Sequence, residues 1–140
     1  MNKTLRLSLI ILNAFLAATA IAGGIGLLSG TNAPPTELLY HSPFRSYLIP
    51  GLALLVLVGG SASIATFMTI RQQRRALTAT FCAAAAIIIF EAVEVAAIGS
   101  PEGIARNLQL FYLAVGLVIG LMAWAARMQA RRNMDHHSPS

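Results

Sequence analysis

The stretch Ala76–Gly99 constrains this chain more than any other. It is apolar for long enough to cross a bilayer as a helix, which takes about 20 residues. Yet it carries two acids, Glu91 and Glu94. A charge near the bilayer centre costs roughly 2.5–3.5 kcal/mol on insertion scales, so such acids face the interior of a bundle or a wet cavity. The two are three residues apart and therefore share one helix face. The rest of the chain must supply what that face meets.

The chain has 140 residues, enough for one domain. Charged residues make up 11% of it and hydrophobic residues 56%, where a soluble domain carries about 25% charged residues. Together with a mean hydropathy of +0.69, this makes it a membrane protein. The net charge of +5 is no nucleic-acid signal. The Lys and Arg residues sit in small clusters between apolar runs, and no basic stripe with interleaved aromatics appears. The single cysteine, Cys82, lies in an apolar run and is expected to be a small buried residue. No cofactor or metal is implied.

Four spans are expected, at about 5–29, 50–71, 76–98 and 104–127. They form an all-α four-helix bundle over residues 1–134, with a disordered polar tail at 135–140. The first run begins with Lys3 and Arg6 and contains Ala18-Thr19-Ala20, so it also has the look of a cleaved secretory signal. Its apolar character continues through Leu28, which favours an uncleaved span. Small residues recur every fourth position, at Ala14, Ala18, Ala22, Gly26 and Gly30, and paint one face suited to close helix packing. Asn13 is the strongly polar residue of that run and can hydrogen-bond across helices.

Between the first two spans, Ser42-Pro43 reads as a helix start, and a short surface helix is expected from Pro43 to Ile49. Pro50-Gly51 should break or kink the chain as it enters the second span. That span is rich in small residues around Gly59 and Gly60. Its Ser61, Ser63, Thr66 and Thr69 can bond to their own helix backbone. Arg71 to Arg75 allows only a tight turn, so the second and third spans are antiparallel neighbours. Ser100-Pro101-Glu102 repeats the pattern of a helix start. In the fourth span Gly116 and Gly120 form a packing motif that continues to Trp124. His136-His137 reads as part of a solvated tail.

Basic residues mark the cytoplasmic side. Lys3 and Arg6, then Arg71, Arg74 and Arg75, then Arg127, Arg131 and Arg132 alternate with connections holding one Arg each, Arg45 and Arg106. Both termini are therefore expected in the cytoplasm.

The run from Ser42 to Gly51 resembles a signature of an uncharacterised family of short bacterial four-helix integral membrane proteins. The stretches Glu94–Gly99 and Leu108–Gly116 are similar to later parts of the same pattern. The resemblance covers most of the chain and implies four helices in a bacterial inner membrane. It implies no activity, and Glu91 lies outside it.

At 1.5 Å per residue, Glu94 lies roughly 7 Å and Glu91 roughly 12 Å inside the outer surface marked by Gly99. Arg106 and Arg45 are the nearest candidate cations, with Arg106 to Glu94 the expected pair. Tyr47, Tyr112, Asn107, Gln109 and His41 can complete a polar cluster. The candidate site is thus Glu91, Glu94, Arg106, Tyr112 and Arg45, and Gly26, Gly59, Gly60, Gly116 and Gly120 are the helix-packing set. No Ser/His/Asp set, metal cluster or redox cysteine pair can be assembled, so an enzyme is not expected. The sequence favours a small accessory or interaction protein of the membrane, with the bilayer and a second copy or a membrane protein as partners and no nucleic acid. The alternative is a small proton- or cation-coupled transporter using Glu91 and Glu94.

Overall fold

The computed structural model describes residues 1–31, 33, 35–39, 42–99 and 103–137. Among these the chain is helical with short connections and no strand. Four helices are long and apolar enough to cross a membrane. Helix α1 is Lys3–Ser29, α2 is Leu48–Ile70, α3 is Ala76–Ile98 and α4 is Ile104–His137. Each packs on its neighbour in the chain, and α1 also meets α4, so the bundle closes in up-down-up-down order. Both ends of the chain and the 71–75 turn lie at one end of the bundle, called here the terminal end. The connections from α1 to α2 and from α3 to α4 lie at the far end.

The helix ends follow local chemistry. The Asn2 side chain accepts a hydrogen bond from the Leu5 amide at 2.8 Å and caps α1. Gly30, at φ +79°, ends it in the left-handed region that glycine enters without strain. The tight 71–75 turn turns through Gln72 at φ +53° and makes α2 and α3 antiparallel neighbours, as its length requires.

The second span enters differently from its sequence expectation. No helix spans Pro43–Ile49: residues 42–47 are bends and irregular chain, and the short element before the second span is a 3-10 turn at Thr36–Leu39. The helix starts at Leu48, so Pro50 lies in its first turn, where no amide donor is needed. Pro50 therefore breaks nothing, and the Gly51 amide closes the first bond to the Tyr47 carbonyl at 2.8 Å. The irregularity comes later, as a π-helical segment at Ala53–Val58. Helix α4 also differs, running on to His137 through the start of the expected tail. The hydrogen-bonded spiral of an apolar span carries on through Arg131 and Arg132 without a breaker. The expected start at Ser100-Pro101-Glu102, the residue His41 and the last part of the tail, 138–140, lie outside the described residues.

The core is made of small and branched side chains. Leu9, Leu16, Ala62, Ala65, Ala83, Ile119, Ala123 and Ala126 are fully buried. Outward, Ile11, Leu57, Ile64, Ile89 and Leu121 are more than half exposed, one or more on every helix. A belt of large apolar side chains around a small-residue core is the pattern of a bundle solvated by lipid.

Close packing uses only part of the small residues. A Cβ on Gly24 would lie 2.8 Å from the Leu55 amide nitrogen, so α1 and α2 touch backbone to backbone there. A Cβ on Gly59 would meet Ile21 at 2.9 Å, and one on Gly116 would meet Ile87 at 2.7 Å. Gly120 faces Ala84, and Gly26 is buried. Gly60 is the exception, since a Cβ there would meet nothing within 4 Å. The stripe Ala14, Ala18 and Ala22 is exposed; the buried face of α1 is instead Leu9, Asn13, Leu16, Ala17, Ala20 and Gly24. Spacing alone cannot tell two neighbouring stripes apart, and Asn13 fixes which one turns inward. Cys82 is likewise exposed, one position before the buried pair Ala83 and Ala84. Trp124 is exposed beside the Gly116–Gly120 seam, not within it.

Candidate functional site

In α3 the side chains that turn inward are Ala76, Thr80, Ala83, Ala84, Ile87 and Glu91. The helical repeat that buries four small or branched residues in the terminal half brings a carboxyl onto the same face in the far half. Glu91 is 5% exposed, while Glu94, one turn on, is half-buried. Helix α4 returns antiparallel and sets Gln109, also 5% exposed, against this turn.

Gln109 organises the site. Its Nε2 donates to the Gly99 carbonyl at 3.1 Å. The carbonyl is available because α3 ends there, with Gly99 at φ +74°. Gln109 thus ties α4 to the end of α3, beside the two acids of α3 that line the same cavity.

These residues border a cavity of about 680 Å³. Leu16, Thr19, Ala20, Gly23 and Leu27 of α1 form one wall, and Leu54 of the π-helical segment forms another. Ile87, Phe90, Glu91 and Glu94 come from α3, and Ile104, Leu108, Gln109 and Tyr112 from α4. Most of the lining is apolar, with polar groups concentrated at Thr19, Glu91, Glu94, Gln109 and Tyr112. Ile104 and Leu108 are exposed and form a rim at the far end. The size and the mix of walls fit a small-molecule site, since such sites run to about 300–1,000 Å³ with a few placed polar groups.

Two of the residues that line this cavity each hold a buried acceptor without a partner. The Glu91 Oε2 and Gln109 Oε1 atoms are buried and make no hydrogen bond among the described residues. A buried polar atom without a partner costs about 1–3 kcal/mol, and native structures hold few of them. A third such atom, Asn13 Oδ1, lies elsewhere in the core.

On the other side of Glu94 is a smaller apolar cavity of about 90 Å³, bordered by Leu39, Phe44, Tyr47, Pro50, Phe90 and Ala97. The Tyr47 hydroxyl donates to the Pro35 carbonyl at 3.2 Å and ties the connection to the mouth of α2. Burial, reinforced by the Glu94 and Glu37 carboxylates, pushes the Tyr47 phenol above its ordinary pKa.

Of the residues expected at the site, Glu91, Glu94 and Tyr112 are brought together. Arg45 and Arg106 are exposed and do not line the cavity. Gln109, one turn along α4 from Arg106, lines the cavity with the two acids. Sequence reasoning placed Gln109 among several helpers but missed Thr19 and Phe90. Thr19 carries no signal, because its hydroxyl bonds back to the Phe15 carbonyl at 2.8 Å like any helix threonine. Among the described residues no three His, Cys, Asp or Glu side chains converge on a metal-sized site. Comparison with family models, with curated proteins and with solved structures returned no match.

Proposed function

We propose that this is a small membrane carrier whose working part is the acidic cavity, and that the cavity takes up a cation through Glu91. One observation carries the reading: a carboxyl that is 5% exposed faces a cavity of about 680 Å³ with one oxygen unpartnered. A carboxyl kept only to hold helices together gains from having both oxygens bonded. The alternating basic clusters and the resemblance of the Ser42–Gly51 stretch support a bacterial inner membrane as its location. The termini are then cytoplasmic and the cavity lies in the outer half. No chemistry on a substrate is part of this reading, and neither a cofactor nor a nucleic acid enters it.

The test is infrared difference spectroscopy of the reconstituted full chain on addition of an external cation. A carboxyl band that shifts in wild type and is silent in Glu91→Gln supports the reading. An unchanged carboxyl region with every cation tried overturns it.

A second reading has its own support. The hydrogen bond from Gln109 of α4 to the Gly99 carbonyl ties α4 to the end of α3 beside the two acids. In that case the acids are structural, and the protein is an accessory or interaction protein whose partner is a second copy or another membrane protein. Retention of fold and partner binding in Glu91→Leu, with no cation response in wild type, would favour it.

A further inference from the structure

Eight of the ten Lys and Arg residues stand at the terminal end, since only Arg45 and Arg106 lie elsewhere. The one acid in the segments that carry them is Asp135. These cations begin where the apolar runs stop: Arg71 follows α2, Arg75 precedes α3, and Arg127 is the first charged residue of α4 after Arg106. That is the level of lipid headgroups. The arrangement is best defined between α3 and α4. The Arg127 guanidinium carbon lies 4.7 Å from the centre of the Phe81 ring, so a cation of α4 rests on an aromatic face of α3. A guanidinium over a ring face still offers N–H groups at its edge, in the fork that phosphate accepts. Arg131, one turn on and exposed, adds a second cation. Toward the membrane, Leu117, Leu121 and Trp124 are each more than half exposed and share the face of α4 that carries Arg131. An apolar strip thus runs into a pair of cations along one helix. A soluble acidic partner could meet the cations but not the strip, which lies within the span.

We propose that the α3–α4 seam at the terminal end binds an anionic phospholipid, its phosphate at Arg127 and Arg131 and its acyl chains along Leu117, Leu121 and Trp124. This site is independent of the cavity and of the carrier reading. The charge selects anionic over zwitterionic lipid, because the ammonium of a zwitterionic headgroup is repelled by the same two guanidinium groups.

The experiment uses Trp124, the single tryptophan of the chain, as its reporter. The full chain is reconstituted in phosphatidylcholine vesicles, and its fluorescence is quenched with brominated-chain phosphatidylglycerol or brominated-chain phosphatidylcholine. The expected preference for the anionic lipid is about tenfold or more, the scale of two Arg side chains at an anionic surface. Arg127→Gln and Arg131→Gln should each lower it by about fivefold. Arg132 leaves α4 about 140° round the axis from Arg127, so Arg132→Gln should change it by less than about twofold. Equal quenching of wild type by the two lipids overturns the proposal and leaves the cations to a soluble acidic partner. An equal loss in all three variants reduces the preference to general surface charge and overturns the site. Relief of the quenching by inorganic phosphate at constant ionic strength makes the ligand a free phosphate, and the lipid assignment falls. The comparison of the two lipids uses wild-type protein alone, so it decides the matter even where a variant does not fold.

Discussion

The two halves of the bundle set buried polarity in different surroundings. In the terminal half, Asn13 is fully buried and its Nδ2 donates across to Thr80 Oγ1 at 3.5 Å, between α1 and α3. The Thr80 hydroxyl donates onward to the Ala76 carbonyl at 2.9 Å. Around them Leu9, Ala62, Ala65, Ala83 and Ala126 leave little space. In the far half, Glu91 is buried to a similar degree but borders a large cavity with one oxygen unbonded. The dense half uses its polar pair to align helices, an interaction worth roughly 0.6 kcal/mol on average in membranes. Each half leaves one buried oxygen of its acid or amide unpartnered, Glu91 Oε2 and Asn13 Oδ1, but the open half holds the more expensive group and sets it at a cavity. That contrast separates a packing feature from a binding feature.

The comparison can be broken first at the α1–α2 contact beside the cavity, in the far half. Gly24→Val places methyl groups where the Leu55 backbone lies, and should destabilise the fold by about 2–3 kcal/mol, as overpacking does. Unfolding in mixed micelles measures it, and a neutral result would mean that α1 and α2 can separate without loss. Glu91→Leu is the sharper test. Removing a buried carboxyl with an unpartnered oxygen should stabilise the protein by about 1–2 kcal/mol while ending the infrared response to cations. Loss of stability instead would make Glu91 a structural tie like Asn13, and the contrast between the halves would disappear. Asn13→Ala should cost about 1 kcal/mol, for a bond and a small void, and leave the cation response unchanged. A change in that response would show that the two polar regions are coupled. The smallest effect belongs to Gly60→Ala, where a Cβ meets open space. Helix propensity predicts stabilisation of about 0.5–1 kcal/mol, and a large loss in the same unfolding assay would reveal a partner on that face.

Much of this architecture was legible in the chain. The length and hydropathy of the four runs specify four helices, because a bilayer admits no other way to bond their backbones at that length. The five residues from Arg71 to Arg75 force an antiparallel reversal. Asn13, Glu91 and Glu94 stood out because polar groups are rare in such runs. Other features were less legible. The surface helix expected at Pro43–Ile49 rested on a Ser-Pro start signal, but the start that forms is at Leu48, with Pro50 in its first turn. The small-residue stripe of α1 was read one position off, because two adjacent faces were both poor in large side chains.

What the sequence by itself determined, then, is the number of helices, their order, and which of them carries buried acids, since these follow from composition along one dimension. The tertiary structure decided which atoms meet. It set Gln109 and Tyr112 of α4 at one cavity with Glu91 and Glu94, turned Ala14, Ala18 and Ala22 outward, and opened that cavity between α1 and the α3–α4 pair. The physical reason is that a helix offers several faces of nearly equal apolarity, and only the joint packing of four of them settles which face is inside and where the packing leaves a gap.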